Sequence, residues 1–333
     1  MQTRGGDGPG RRPAAEIARA MRAATPITLL LLVLIAPIAR GGSDWTPYPP
    51  RVRKEPVPPS PAVARINVRA TGGYRFEHVD GVDTTFFGAV TSGTLRTDDV
   101  DAHAAWGELV ATVPITRSTG ARGRVRGGFA ETRRSLDAAD PDASELDAIG
   151  GELELFWRDP SRGAFAAGGH YDRLMADGGL DADAYGGSAE AIVFVPDLGS
   201  GPVDWGVRFD FTRRQVSGSA LPFDVDAVVY RVEGTAGWYA TPNVQVLFGG
   251  RWSRVEEELV NEDDRVGFLG LRWRLPLPGP VGVELSARGT AGLSEYKEAP
   301  FRGDQRLLYG GEAAITLRFN SGATLLDSIR AHD

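Results

Sequence analysis

Period two dominates the chain from residue 64 to Phe319. Segments of roughly 10–14 residues alternate apolar and polar side chains, with turn residues between them. In DAVVYRVEGTAGWY, Val228, Tyr230, Val232, Gly234, Ala236 and Trp238 share one face, and Arg231, Glu233, Thr235 and Gly237 the other. NVQVLFGGRWS sets Val244, Val246, Phe248 and Trp252 against Gln245, Arg251 and Ser253. VGVELSARGTAGL sets Val281, Val283, Leu285, Ala287, Ala291 and Leu293 against Glu284, Ser286, Arg288 and Thr290. Successive side chains of an extended chain point to opposite sides, so the pattern predicts strands. No run between residues 64 and 333 carries convincing helical periodicity.

A soluble β-sandwich alternates in the same way, so the flanks of the strands decide the class. Several apolar faces end in an aromatic ring beside a turn: Trp157, Trp238, Trp252, Trp273 and Phe319. Such rings suit the two interfaces of a bilayer, with the apolar body inward and the polar edge toward water. The segments also match the ~9–11 residues of a tilted membrane strand better than the ~5–6 of a soluble one.

The turns fall into two classes. One is short and rich in proline or glycine: around Pro114–Gly120, Asp159–Arg162, Pro196–Pro202, Ala240–Asn243 and Pro276–Pro280. The other is longer and mostly acidic: RSLDAADPDASELD, LMADGGLDADA, RQVSGSALPFDVD, VEEELVNEDDR and EYKEAPFRGDQR. The two classes alternate strictly. Membrane barrels have short periplasmic turns and longer external loops, which puts the acidic class outside. Alternation offers thirteen candidate strands, but two periplasmic ends require an even number. We read 64–78 as the first strand and DGVDTTFFGAVTSGTLRTDD as a structured external loop. The expected fold is all-β: a transmembrane antiparallel up-and-down barrel of about twelve strands over residues 64–320, with a periplasmic extension at 321–333.

The residues before the barrel read as an export signal and a spacer. From Met21, MRAATPITLLLLVLIAPIARGGS has a positive residue, an apolar run and small residues, with Ala39 and Gly41 at the -3 and -1 positions. Residues 1–41 are therefore expected to be a signal peptide, with Met21 as an alternative start and Arg11–Arg12 as an alternative twin-arginine signal. The apolar run is shorter than the roughly 20 residues of a spanning helix. Seven of the eighteen residues in TPYPPRVRKEPVPPSPAV are proline, which favours an extended polyproline segment. Residues 42–63 read as a periplasmic spacer, or as a docking element for a periplasmic partner.

Composition then removes several functions. The chain has no cysteine, hence no disulfide framework, thiol nucleophile or lipid-anchor cysteine. A net charge of -7 argues against nucleic acid as a partner.

The last strand, LLYGGEAAITLRF, places Leu307, Tyr309, Gly311, Ala313, Ile315, Leu317 and Phe319 on one face. It resembles the C-terminal assembly signal of bacterial outer-membrane β-barrels, an alternating strand closed by phenylalanine. The resemblance implies insertion by the barrel-assembly machinery into outer-membrane lipid. It departs from the pattern where NSGATLLDSIRAHD follows the phenylalanine.

The polar face carries the candidate chemistry. Closing the short turns in simple register sets Glu108 opposite Arg126, Glu190 opposite Arg208, and Arg272 opposite Glu284. Glu152 and Glu154 fall within reach of Arg122, Arg124 and Arg126 on the preceding strand. With His170, Arg231, Glu233, Arg251 and Arg288, these residues form the expected pore lining. Of the four histidines only His170 sits mid-strand, inside and near Glu152, with no serine aligned for hydrolysis. The acidic loop with Asp137, Asp140, Asp142, Glu145 and Asp147 lacks calcium-loop spacing and reads as solvated. Neither a metal nor a cofactor is expected. The function read from this pattern is a narrow channel for small polar or ionic solutes. The alternatives are a non-conducting barrel for polymer export or periplasmic docking, and a lipid-modifying enzyme.

Overall fold

The computed structural model describes residues 66–80, 83–87, 92–96, 99–135, 143–176, 180–195, 201–218, 225–257, 260–277, 281–298, 305–321 and 324–330. The expected signal peptide, proline-rich segment and the acidic run at 136–142 lie outside them. Twelve strands close into one antiparallel barrel. They are β1 (Asn67–Val79), β4 (Asp99–Pro114), β5 (Thr119–Ser135), β6 (Ala143–Asp159), β7 (Gly163–Ala176), β8 (Leu180–Val195), β9 (Val203–Gly218), β10 (Val225–Thr241), β11 (Val244–Glu257), β12 (Val260–Leu275), β13 (Val281–Glu298) and β14 (Gln305–Phe319). The first and last strands seal the cylinder, with Val68 opposite Phe319. Closure leaves no free edge, which backbone groups in hydrocarbon require. Two further strands, β2 (Asp83–Phe87) and β3 (Ser92–Arg96), pair only with each other in the β1–β4 connection. That stretch is thus a structured loop rather than a wall strand.

The ladder assigns every side chain to one face. Leu153 and Leu155 point outward and are 65% and 64% exposed, as are Leu109, Val125, Ile149, Val207 and Ile315 along the same wall. An apolar surface of this extent is stable only against lipid. Trp157, Phe165, Trp205, Trp238, Trp273 and Phe319 ring it near the short turns, and Tyr74, Phe129, Tyr171, Tyr185, Phe211, Tyr230 and Trp252 ring it toward the long loops. Beyond the second ring the outward positions turn polar and ion-paired, as in Arg133–Glu131 at 2.7 Å and Arg213–Asp226 at 2.8 Å. Strands of 13 to 18 residues exceed the ~10 needed to cross a tilted path through ~25 Å of hydrocarbon, so their outer ends project into water.

Gly163 and Gly249 are among the glycines dictated by space. Gly163 restarts β7 at φ 156°, and a Cβ there would lie 2.0 Å from the carbonyl oxygen of Ile192. Gly249 faces inward beneath the Phe268 ring, where a Cβ would come within 2.6 Å of the ring and 2.1 Å of the Gly234 carbonyl. The doublet Gly249–Gly250 therefore serves interior packing as well as wall curvature.

One element escaped the sequence pattern. The segment after Phe319 ends in a short helix, α1 (Leu325–Arg330), whose Leu325 and Ser328 are fully buried. Leu326 N donates to the Pro242 carbonyl at 3.0 Å, and Leu325 N to Asn243 Oδ1 at 3.3 Å, which ties α1 to the β10–β11 turn. Arg274 reaches it from the lumen, donating to Ser328 Oγ at 2.6 Å and Ser321 Oγ at 3.0 Å. The helix shows no period because its six residues are too few.

The parity of the ladder makes a direct prediction. Trp157, Trp205, Trp238, Trp252 and Trp273 face lipid, whereas Trp106 lies on the inward side of β4, across from Gly128. Single-tryptophan variants in vesicles of brominated lipid should show strong quenching at the five outward positions and little at Trp106. A quenched Trp106 would mean that the faces are reversed.

Candidate functional site in the barrel lumen

Every residue singled out from the sequence as lining the interior faces inward, and Glu108, Arg122, Arg124, Glu152, Glu154, Glu190 and Arg208 join one ionic network. Glu152 on β6 is at its centre. Its carboxylate accepts from Arg124 Nη1 at 2.8 Å, from Arg208 Nη2 at 2.9 Å and from Ser188 Oγ at 2.8 Å. Glu154 accepts from Arg122 Nε at 2.5 Å and lies 3.6 Å from Arg208. Arg124 and Arg69 both approach Glu108, at 3.2 and 3.0 Å. Arg126 makes a two-point contact to Asp172 at 2.7 and 2.6 Å, and Arg318 meets Glu284 at 2.9 Å. Planar guanidinium groups suit such shared, bidentate contacts better than lysine would.

The expected hairpin pairs are right in register at two turns, and the ion pairs run elsewhere. Glu108 is opposite Arg126 and Glu190 is opposite Arg208. Yet Glu108 takes Arg124 and Arg69, while Glu190 is approached by Arg122 at 3.6 Å. The third pair is corrected: Leu275 faces Val283, so Arg274, not Arg272, is opposite Glu284. The shift of two preserves parity, and Arg272 still lies 3.9 Å from Glu284 on the diagonal. Contacts between non-neighbouring strands, such as Arg208 on β9 with Glu152 on β6, exist because the wall curves back on itself. His170 faces Glu152 across the ladder but bonds Thr212 Oγ1 at 2.9 Å. Glu233 receives Arg288 at 3.3 Å, and Arg288 also lies 3.5 Å over the Phe268 ring. Arg231 and Arg251 face inward outside this set of pairs.

The lumen is divided along its axis. A cavity of about 560 Å³ occupies the middle and outer part, bounded by Arg126, His170, Asp172 and Arg231. A smaller one of about 180 Å³ lies below, between Asp204, Gln245, Arg272 and Ile329 of α1. Arg208 borders both. Under the lower cavity the floor is packed with Glu154, Arg158, Tyr239 and Gln245, all fully buried. Asp204 ties it together, accepting from Tyr239 Oη and Gln245 Nε2, each at 2.8 Å.

A second cluster sits on the outer rim, beyond the aromatic ring. His78 Nδ1 lies 2.6 Å from Asp101 on β4 and its Nε2 lies 2.9 Å from Asp80, with Asp99 nearby and the Tyr309 ring of β14 stacked on the imidazole. Burial by itself would lower the affinity of this imidazole for a proton. The hydrogen bonds to Asp101 and Asp80 outweigh it and raise the pKa above the ordinary value.

A closed antiparallel ladder, wrapped in an apolar belt and charged within, defines a transmembrane β-barrel of the outer-membrane type. No protein-family model matches the chain, and no curated protein matches its sequence. Among solved structures, the translocator domain of the autotransporter NalP from Neisseria meningitidis is 12% identical, with a TM-score of 0.43 and coverage of 76% of this chain and 88% of that one. The toluene transporter TodX from Pseudomonas putida is 9% identical, with a TM-score of 0.39 and coverage of 79% and 92%. A FadL homologue from Pseudomonas aeruginosa is 10% identical, with a TM-score of 0.39 and coverage of 78% and 92%. The class assignment rests on the closed ladder and the apolar belt.

Two outcomes follow from these clusters. Glu152→Gln leaves Arg124 and Arg208 without their shared buried carboxylate and should destabilise the barrel by about 3–5 kcal/mol. The exposed-pair variant Glu131→Gln should cost about 1 kcal/mol or less. Equal urea midpoints for the two would remove the network's central role. At the rim, protonated His78 contributes stability that is complete below about pH 6.5 and is lost as pH rises through its higher folded value. An NMR titration should place His78 above that reference, and Asp101→Asn should bring it back down.

Proposed function

We propose that this protein is an outer-membrane channel for small polar or ionic solutes, held shut at its short-turn end by α1. What supports this reading is one feature: a charged, cavity-bearing lumen that ends on the C-terminal helix. The outer cavity offers a solute the hydrogen-bonding groups of His170, Asp210, Thr212 and Arg231 beside apolar Leu174 and Val229. Arg208 stands between the two cavities, and α1 with the Tyr239–Asp204–Gln245 cluster closes the floor. The helix is attached by few bonds, chiefly those of Arg274, Pro242 and Asn243. Displacing it would leave the wall ladder intact.

In the same reading, residues 1–41 direct export, residues 42–63 form a periplasmic spacer, and the barrel-assembly machinery inserts the twelve wall strands, β1 and β4–β14. The short turns then face the periplasm and the long loops the exterior.

The channel reading is tested by removing the stopper. Deleting residues 320–333 leaves Phe319 as the last residue, so the final strand still matches the assembly signal that it resembles. In planar bilayers the truncated barrel should conduct at least severalfold more than the full chain, and Arg274→Ala should raise the open fraction. A truncated barrel that folds and remains silent would overturn the channel reading in favour of docking or export.

A further inference from the structure

We infer that the outer cavity is a binding site for small multivalent oxyanions, bearing phosphate or carboxylate groups, held by Arg214 and Arg231. The inference deepens the channel reading by naming a class of solute, and it rests on that reading for the solute's route in.

Charge accounting carries it. The cavity is bordered by five arginines, at positions 124, 126, 208, 214 and 231, but by only three carboxylates, Glu152, Asp172 and Asp210. Each carboxylate is already committed. Glu152 holds Arg124 at 2.8 Å and Arg208 at 2.9 Å, Asp172 holds Arg126 at 2.6 Å, and Asp210 holds Arg208 at 2.8 Å. Arg214 and Arg231 are left over, with no hydrogen bond or ion pair among the described residues.

Their surroundings keep them so. Arg231 is opposite Asp210 in the ladder, but that carboxylate turns to Arg208. Glu233, two positions along β10, is taken by Arg288 at 3.3 Å. Arg214 has alanines beside it on both neighbouring strands, Ala184 and Ala227, which leave space in front of its guanidinium. Arg251 on β11 is set diagonally from Arg231 but directly opposite Glu233, and it does not line the cavity. Arg231 is attracted by Asp210 and Glu233 and repelled by Arg75 and Arg208, without closing an ion pair among the described residues.

Two guanidinium groups without an ion pair among the described residues, on the adjacent strands β9 and β10, therefore face a water-accessible cavity. A concave, low-dielectric wall concentrates their field and draws anions in. A guanidinium fork matches the paired oxygens of phosphate and carboxylate. A volume of about 560 Å³ admits a group the size of pyrophosphate or citrate.

Isothermal titration of the full chain in nanodiscs, with pyrophosphate and with citrate as probes, tests the site. Both should bind, and Arg214→Gln with Arg231→Gln should weaken each about 100-fold, at roughly tenfold per lost charge-assisted contact. Arg133→Gln on the outer wall should change nothing. Folding is checked by heat-modifiable gel migration. Should the glutamine pair fail to fold, Arg214→Lys with Arg231→Lys keeps the charge, loses the fork and should still weaken binding about tenfold. Absence of binding at millimolar probe, or equal affinity in the folded double variant, overturns the site. Because equilibrium binding needs no conduction, a silent truncated barrel that still binds pyrophosphate sinks the channel reading alone.

Discussion

The interior of this barrel depends on the pairing of charges that the wall has removed from water. A closed ladder forces every second side chain of twelve strands into one narrow space, and the sequence fills that space with arginine and carboxylate. An unpaired buried ion costs several kcal/mol, so each group needs an opposite partner within reach. Glu152 answers this by accepting three donors at once, from β5, β8 and β9. Its position holds Arg208 across the lumen, and Arg208 in turn separates the outer cavity from the inner one. Among the described residues, the lumen is thus partitioned by ionic contacts. Where the pairing runs out among the described residues, at Arg214 and Arg231, positive charge is left facing the cavity.

Outside, the same alternation solves the opposite problem. Leucine, isoleucine and valine occupy the positions that meet hydrocarbon, and aromatic rings mark both edges of that belt. Inside and outside are written on one strand and cannot be exchanged without a register slip, which would bury the apolar face and put the arginines in lipid. The ion network and the apolar belt therefore fix the register together.

Much of this was legible from residue order alone, for local reasons. Period two reports the two faces because it is a property of each strand by itself, and turn length reports which strands are hairpin neighbours. Glu108 opposite Arg126 and Glu190 opposite Arg208 were within reach of such reasoning. The Pro276–Pro280 turn defeated it, since pairing stops two residues earlier on β13 than simple closure assumes. The contacts that matter most, Glu152 with Arg208 and Arg126 with Asp172, join strands that are not neighbours. They depend on the curvature of the closed wall, which no strand encodes alone. Helix α1 was invisible for a related reason: its burial comes from Arg274 and the β10–β11 turn, far away in sequence.

The most direct test of the ionic account is a double-mutant cycle between Glu152→Gln and Arg208→Gln, read from urea unfolding of the barrel in lipid. If the cross-lumen pair organises the interior, the two substitutions should be strongly non-additive, with a coupling on the order of 1–3 kcal/mol. Additive losses, with a coupling indistinguishable from zero, would contradict it and reduce the network to independent charges in a wet pore.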